Sequence, residues 1–472
     1  MKLLRWVVAV ALMGIACSTL AVQTSVSATT KNYLMWQIPS VNIPLPVYVY
    51  QNGAQEAYIP SASLQVFAGE YTPGATNATY NLYYQSGGAW YGCSIVLVNG
   101  AKSQSSTCVG VVIDNPVNQN GAQGNVYSIT MAASAWPSID APVPAPTPTN
   151  YDNRTITFKN NTQYPVIQIG EACSMTCPTS NPTCGNQNNT APSCQNTPIV
   201  ATVTKNTPYV VTVGKQGLNS SAFYLSSYCT ADSVVACKTP PTVSQCSGAV
   251  PTPPTNWVCT GGYFPGQTAY ATKIELTILP VINGIPSASN VDVSAVDGYA
   301  TGVKLYPASP KYCTYTVPPE NSNVLGAGHY SAANPLAQLV PSSTTALSSL
   351  CAISSQLPTQ GAGSWNLAVL SPTNVFAGCM SPCAYATLHV GTNGVTEEMQ
   401  NQFCCTGDHN TPGSCDVAAG QTGANTSTYN MNIENAPTEF QHVYGFAYGD
   451  AGNDYACPPE TNFVVEFVSG PG

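Results

Sequence analysis

Four acidic side chains hold the chemistry this chain is best equipped to do. Glu275 lies in Ala271-Thr-Lys-Ile-Glu275-Leu-Thr-Ile-Leu279, Asp292 and Asp297 in Asn290-Val-Asp292-Val-Ser-Ala-Val-Asp297-Gly298-Tyr299, and Asp450 closes Tyr444-Gly-Phe-Ala-Tyr-Gly-Asp450. The first segment alternates polar with apolar residues, the period of a half-buried strand. Lys273, Glu275 and Thr277 then share one face and Ile274, Leu276 and Ile278 the other, so Glu275 points away from the core. Asp292 shares its face with Ser294, whereas Asp297 has the opposite parity and needs the turn at Gly298 to re-aim it. Glycoside hydrolysis needs two carboxyl groups in different protonation states, one to protonate the leaving oxygen and one to activate water. In inverting enzymes they stand about 6.5–9.5 Å apart, which side chains one or two strands apart can supply. A bland reading stands beside this one: acids on a solvent-facing strand are commonly just solvated, and Asp297-Gly298 is an ordinary turn dipeptide.

Composition narrows the partners. Charged residues make up 7% of the 472 residues, and 27 Tyr stand among many Ser, Thr, Asn and Gln, so neutral groups hydrate the surface. A net charge of −9 with 12 Lys+Arg leaves no basic patch for phosphates, which excludes nucleic acid and favours a neutral polymer. Lys2 and Arg5, the apolar run Trp6 to Ile15 and Val26-Ser-Ala28 read as a signal peptide over residues 1–28. That run is about half of what a bilayer requires, and no later segment is long enough to span one. The expected destination is extracellular, with lipid anchoring at Cys17 as the minor alternative.

Cysteine usage agrees with an oxidising compartment. Of 19 cysteines, setting aside Cys17 leaves an even 18: Cys93, Cys108, Cys173, Cys177, Cys184, Cys194, Cys229, Cys237, Cys246, Cys259, Cys313, Cys351, Cys379, Cys383, Cys404, Cys405, Cys415 and Cys457. A metal site would want tight pairs with histidine nearby, and His329, His389, His409 and His442 are scattered, so structural disulfides are expected, with no metal and no cofactor.

The segment Trp136 to Asn150 is proline-spaced and reads as a linker over 137–150. Before it, residues 29–136 alternate β-rich runs (Val47–Tyr50, Tyr80–Tyr84, Ala89–Val98, Val109–Ile113, Val126–Met131) with turns, and Ser86-Gly87-Gly88 is a hairpin signal. Cys93 and Cys108 could staple neighbouring strands of a small β-sandwich, either a spacer or a carbohydrate-binding module. Beyond the linker, helix is expected only at Ser343 to Gln356 and as a turn near Glu397 to Phe403.

The last third of the chain is the most specific. Cys379-Met-Ser-Pro-Cys383, the doublet Cys404-Cys405-Thr-Gly, Tyr444-Gly-Phe-Ala-Tyr-Gly-Asp450 and Phe463-Val-Val-Glu-Phe467 follow in an order that resembles the thaumatin-like superfamily of secreted defence proteins and β-1,3-glucanases. Thr155-Ile-Thr-Phe158-Lys-Asn-Asn161 is similar to that family's opening strand, and the segments around Glu275 and Asp292 are similar to its acidic strands. The resemblance covers about residues 151–470. It implies an all-β fold, a thaumatin-like β-sandwich with a disulfide-rich lobe over 151–472, following the smaller N-terminal β-sandwich.

The resemblance also implies pairings and roles. Cys229 would join Cys237, Cys246 Cys259, Cys313 Cys457, Cys351 Cys379, Cys383 Cys404, and Cys405 Cys415, while Cys173, Cys177, Cys184 and Cys194 lie in an insertion. The family's end-to-end disulfide has no counterpart, because Thr162 and Val468 stand near its two positions. Glu275 would be general acid and Asp292 general base of an inverting mechanism, with Asp297 and Asp450 keeping the cleft negative and the Glu275 pKa raised. Tyr299 and Tyr448, with Tyr263 and Phe264, would stack on sugar rings. Of the two acids usual after "AY" only Asp450 is present, and the arginine facing the acids is missing, with Lys215 or Lys273 as possible substitutes. The expected function is binding of β-1,3-glucan or a similar neutral polysaccharide in an acidic cleft, with weak hydrolysis. The competing class is a non-enzymatic, protease-resistant extracellular surface or defence protein.

Overall fold

The computed structural model describes residues 32–37, 47–51, 54–59, 65–71, 78–98, 101–108, 111–113, 126–131, 136–140, 153–171, 199–230, 234–246, 252–260, 270–279, 289–316, 327–342, 346–353, 365–417 and 423–469. The expected leader, Cys17, the insertion cysteines 173, 177, 184 and 194, Tyr263, Phe264 and most of the proline-spaced segment lie outside them. The described chain is all-β and rich in disulfides, and its described α-helices all lie in the second half.

Residues before the proline-spaced segment form two sheets, one of four strands and one of six. The six-stranded sheet is organised by the hairpin of Ala78–Ser86 and Ala89–Val98, whose nine facing pairs run from Ala78↔Leu97 to Ser86↔Ala89. Gly87 and Gly88 turn it with φ of +58° and +83°. Two successive left-handed residues are what a tight hairpin turn matching strand twist demands, and glycine adopts them without strain. The inner face buries Val47, Val49, Tyr80, Leu82, Tyr84, Ile95 and Leu97, and Cys93 is bonded to Cys108. This unit ends later than the sequence suggests: Ser138–Ile139 pairs with Tyr91 and Trp90, and Trp136 packs on Tyr84. The first residues of the expected linker are therefore strand, because Trp136 and Ile139 have apolar surface to bury.

The larger unit holds a six-stranded and a ten-stranded sheet plus a small three-stranded one. In the six-stranded sheet the opening strand Thr155–Asn160 lies parallel to the closing strand Phe463–Ser469, in register from Ile156↔Phe463 to Asn160↔Phe467. Asn161 N donates to Phe467 O at 2.7 Å and the Asn161 amide to Glu466 Oε1, so hydrogen bonds join the two ends where no cysteine pair exists. Ile156, Phe158, Ile274, Leu276, Val291, Val293, Phe463, Val465 and Phe467 are among the buried residues of one continuous core shared by both large sheets.

Cystine bonds join Cys229 to Cys237, Cys246 to Cys259, Cys313 to Cys457, Cys351 to Cys379, Cys383 to Cys404 and Cys405 to Cys415. Helix is more frequent than the sequence suggested. Leu347–Ile353 and Glu397–Cys404 fall at the two expected places, and Pro382–His389 and Thr428–Asn435 are additional. Each of the latter two starts at a serine, Ser381 or Ser427, whose side chain accepts from the backbone N–H three residues on. Such caps satisfy donors that a helix cannot satisfy itself and sustain segments with weak apolar periodicity.

Candidate functional site

The candidate site forms on adjacent strands of the ten-stranded sheet, Lys273–Ile278 and Ser289–Ser294, which run antiparallel with Glu275 directly opposite Asp292 and Lys273 opposite Ser294. Lys273–Ile278 buries Ile274, Leu276 and Ile278 and leaves Lys273, Glu275 and Thr277 on the partly open face. The sheet thus places two carboxyl groups side by side at the close spacing of cross-strand neighbours.

A third strand supplies the group between them. Val443–Tyr444 lies parallel to Ser289–Ser294, with Tyr444 in register with Ser294. The Tyr444 hydroxyl sits 3.3 Å from Glu275 Oε2 and 3.2 Å from Asp292 Oδ1. Two contacts through one atom cap the separation of those carboxyl oxygens at about 6.5 Å, their sum. That cap stands at the short limit for inverting glycosidases and also admits the about 5–5.5 Å of retaining ones.

Asp297 joins the same group. Its carboxylate receives Lys273 Nζ at 2.7 Å, and the same ammonium lies 3.8 Å from Glu275 Oε2. The re-aiming occurs at Gly298, whose φ of +139° suits only glycine and where a Cβ would stand 2.1 Å from the Cys379 carbonyl oxygen. Lys273 is therefore the cation that faces the acids. Burial works to lower its pKa, but the charges of Glu275, Asp297 and Asp292 and the hydrogen bond to Asp297 outweigh it and push the pKa up.

The remaining expected residues divide. Asp450 lies in the turn after Val443–Tyr444, where its carbonyl accepts from Asn453 N and Asp454 N, and its charge acts on Asp454. Tyr299 is 1% exposed, packed on Tyr429 and Phe440, and belongs to the core rather than to a sugar platform. Its strand, Gly298–Tyr299, pairs with Phe376–Met380 and turns the ring inward. Tyr448 is partly buried, with its hydroxyl donating to Asn410 O at 2.5 Å.

Two residues to which the sequence reading gave no site role complete the cluster, Tyr444 and Asp454. Asp454 precedes Tyr455–Cys457, the strand on the other side of Ser289–Ser294. At Gly449, where a second acid was expected, a Cβ would meet the Phe446 ring and Tyr444 Cβ at 3.0 Å, so the extra acid enters from position 454 instead. The alternation of Val443–Tyr444 was the only signal for Tyr444, and its strand is two residues long.

The carboxyl pushed well above its ordinary value is that of Asp292. Burial is the main cause, followed by the charges of Glu275 and Asp454; Lys273 opposes them, as does the Tyr444 hydroxyl wherever it donates to an ionised Asp292. Asp454 is pushed up to about 6, again chiefly by burial, with Asp450 and Glu275 adding repulsion against hydrogen bonds from Thr316 and the Tyr455 backbone. The exposed partner is Glu275, whose side chain is 38% accessible. Asp292 and Glu275 thus combine a carboxyl whose pKa is raised with one open to solvent. Among the described residues no group of three or more His, Cys, Asp or Glu is placed to hold a metal ion, and no helix is long and apolar enough to cross a membrane. In comparison with known proteins, no family model and no curated protein matches the chain.

Proposed function

We propose that this chain is an exported thaumatin-like protein whose acidic groove binds β-1,3-glucan or a similar neutral polysaccharide and hydrolyses it. The observation that carries the reading is the cross-strand pair of Glu275 and Asp292, joined through one hydroxyl and set in unequal environments. Glycoside cleavage needs an acid and a base that hold different protonation states at one pH, and unequal burial produces that difference. In this reading Asp292 serves as acid and the accessible Glu275 carboxylate as nucleophile, a retaining arrangement whose about 5–5.5 Å separation fits within the cap of about 6.5 Å. Lys273 and Asp297 flank the pair and hold Glu275 in place.

The test is reducing-sugar release from a panel of β-1,3-, β-1,4- and mixed-linkage glucans by wild type, Glu275→Gln and Asp292→Asn. Each variant is expected to lose about 10²-fold or more in rate while keeping glucan affinity, and the first product carries the configuration of the substrate. A wild type inactive on the whole panel removes the hydrolase reading.

Specific observations favour a second reading, a non-enzymatic binding or resistance role. Lys273 neutralises part of the acidic face, and Tyr299 and Tyr448 are withdrawn from stacking by the core and by Asn410. Under it the wild type releases no sugar, and Glu275→Gln binds glucan as the wild type does.

A further inference from the structure

We propose that Tyr444 is a positioning residue that keeps the shared proton of the pair on Asp292, accepting a hydrogen bond from Asp292 and donating its own to Glu275. The inference rests on reading Glu275 and Asp292 as base and acid, but its first test needs no substrate.

The argument is a count of protons. A phenol has one hydrogen to donate, yet two carboxyl oxygens lie at nearly equal distance from Oη, 3.3 and 3.2 Å. Were both carboxylates ionised, one contact would be left without a hydrogen and two negative charges would face one oxygen. With a proton on Asp292, the row Asp292 O–H, Tyr444 O–H, Glu275 is satisfied at every step. Surroundings fix the direction of the row. Glu275 is the accessible member and has Lys273 Nζ at 3.8 Å, which favours charge there. Asp292 faces the charges of Glu275 and Asp454 and is only partly open to solvent, which favours a neutral acid. The phenol keeps its own proton, since burial, Asp292 and Glu275 push its pKa well up. Among the described residues, the charged or titratable groups that act on Asp292 are Lys273 and Glu275 on one neighbouring strand, Tyr444 on another and Asp454 from the closing turn, while Asp297 and Asp450 act on Lys273 and Asp454 in turn.

Tyr444 is held by backbone, which suits a residue that must not drift. Its carbonyl accepts from Ala295 N at 2.8 Å, and Gly445 beside it packs so closely that a Cβ would fall 2.7 Å from Ile433 Cδ1.

Carbon-13 NMR titration of the Asp292 carboxyl in wild type and Tyr444→Phe distinguishes the two directions of the bond. If Tyr444 accepts from Asp292, removing the hydroxyl destabilises the protonated form, and the Asp292 midpoint falls by about one pH unit, the worth of one hydrogen bond between neutral groups. If Tyr444 donates to an Asp292 carboxylate, the midpoint rises. A rise or no change overturns the proposal. The ring is retained in Tyr444→Phe, so the fold should survive; if it does not, infrared spectroscopy of the unmutated protein decides. A carboxylic C=O band that persists at about pH 7.5, above the Asp454 titration, and is missing from Asp292→Asn supports the proposal, and its absence from wild type overturns it. On a glucan that the wild type cleaves, Tyr444→Phe lowers kcat with KM nearly unchanged and moves the alkaline limb of the pH profile down. A raised KM with an unmoved limb overturns the role. A wild type without hydrolysis removes the enzymatic reading and leaves the titration to judge Tyr444.

Discussion

Asp454→Asn is the sharpest perturbation of the site's electrostatics that leaves its shape alone. Asp454 is pushed from the ordinary 3.8 to about 6, mainly by burial, and one of its oxygens, Oδ1, is buried with no hydrogen-bond partner. The unfolded chain gives up this proton near pH 4 and the folded chain only near 6. Between those values the folded state binds more protons, so stability falls as pH rises through the window and is level above it. About two pH units at about 1.4 kcal/mol each give a cost of up to about 3 kcal/mol at neutral pH that is absent below about pH 4. Asparagine keeps the shape and removes the charge. For a unit of this size 3 kcal/mol corresponds to about 4–5 °C in Tm. Calorimetry of the oxidised proteins at about pH 3.5 and pH 7.5 should find the variant level with wild type at the lower value and more stable at the higher one. Other titrating groups, such as His442, whose pKa burial lowers, act alike in both proteins and cancel in the comparison. An equal Tm difference at both pH values would refute the reasoning, because the penalty would then not come from ionising residue 454.

Lys273→Met should lower stability by about 2 kcal/mol at neutral pH, since it strips Asp297 and Glu275 of their shared cation. Thermal unfolding should show the deficit shrinking toward about pH 3, where the carboxylates are neutral. Gly298→Ala should cost about 3 kcal/mol or more, through the clash with the Cys379 carbonyl and the φ of +139°. The yield of oxidised protein and its Tm measure that loss, and a variant as stable as wild type would show that the turn can relax.

Much of this arrangement is legible in the chain because strand periodicity is rigid. A period of two fixes which face Glu275 occupies, and the burial of Ile274, Leu276 and Ile278 follows the same rule. The contact between Glu275 and Asp292 needs a register as well as a face, and register depends on pairings that one segment cannot express. Asp297 has the wrong parity and still reaches Lys273, because a glycine turn breaks the period. Tyr299 misleads for the opposite reason: a tyrosine beside an acidic motif reads as a ligand platform, yet three-stranded pairing directs it to the core. Tyr444 and Asp454 were hidden in a turn-rich segment with little periodicity, and only the fold brings that segment back across Asp292. The helices Pro382–His389 and Thr428–Asn435 escaped notice because serine caps, rather than an apolar stripe, define them.

The parallel pairing of Thr155–Asn160 with Phe463–Ser469 sets how the larger unit answers mechanical load. Tension applied across residues 155 and 469 pulls these neighbouring strands along their lengths in opposite directions, so their hydrogen bonds bear the force together rather than one after another. A zipper opened from its end yields bond by bond; this arrangement is a clamp, placed where force transmitted along the polypeptide would enter and leave.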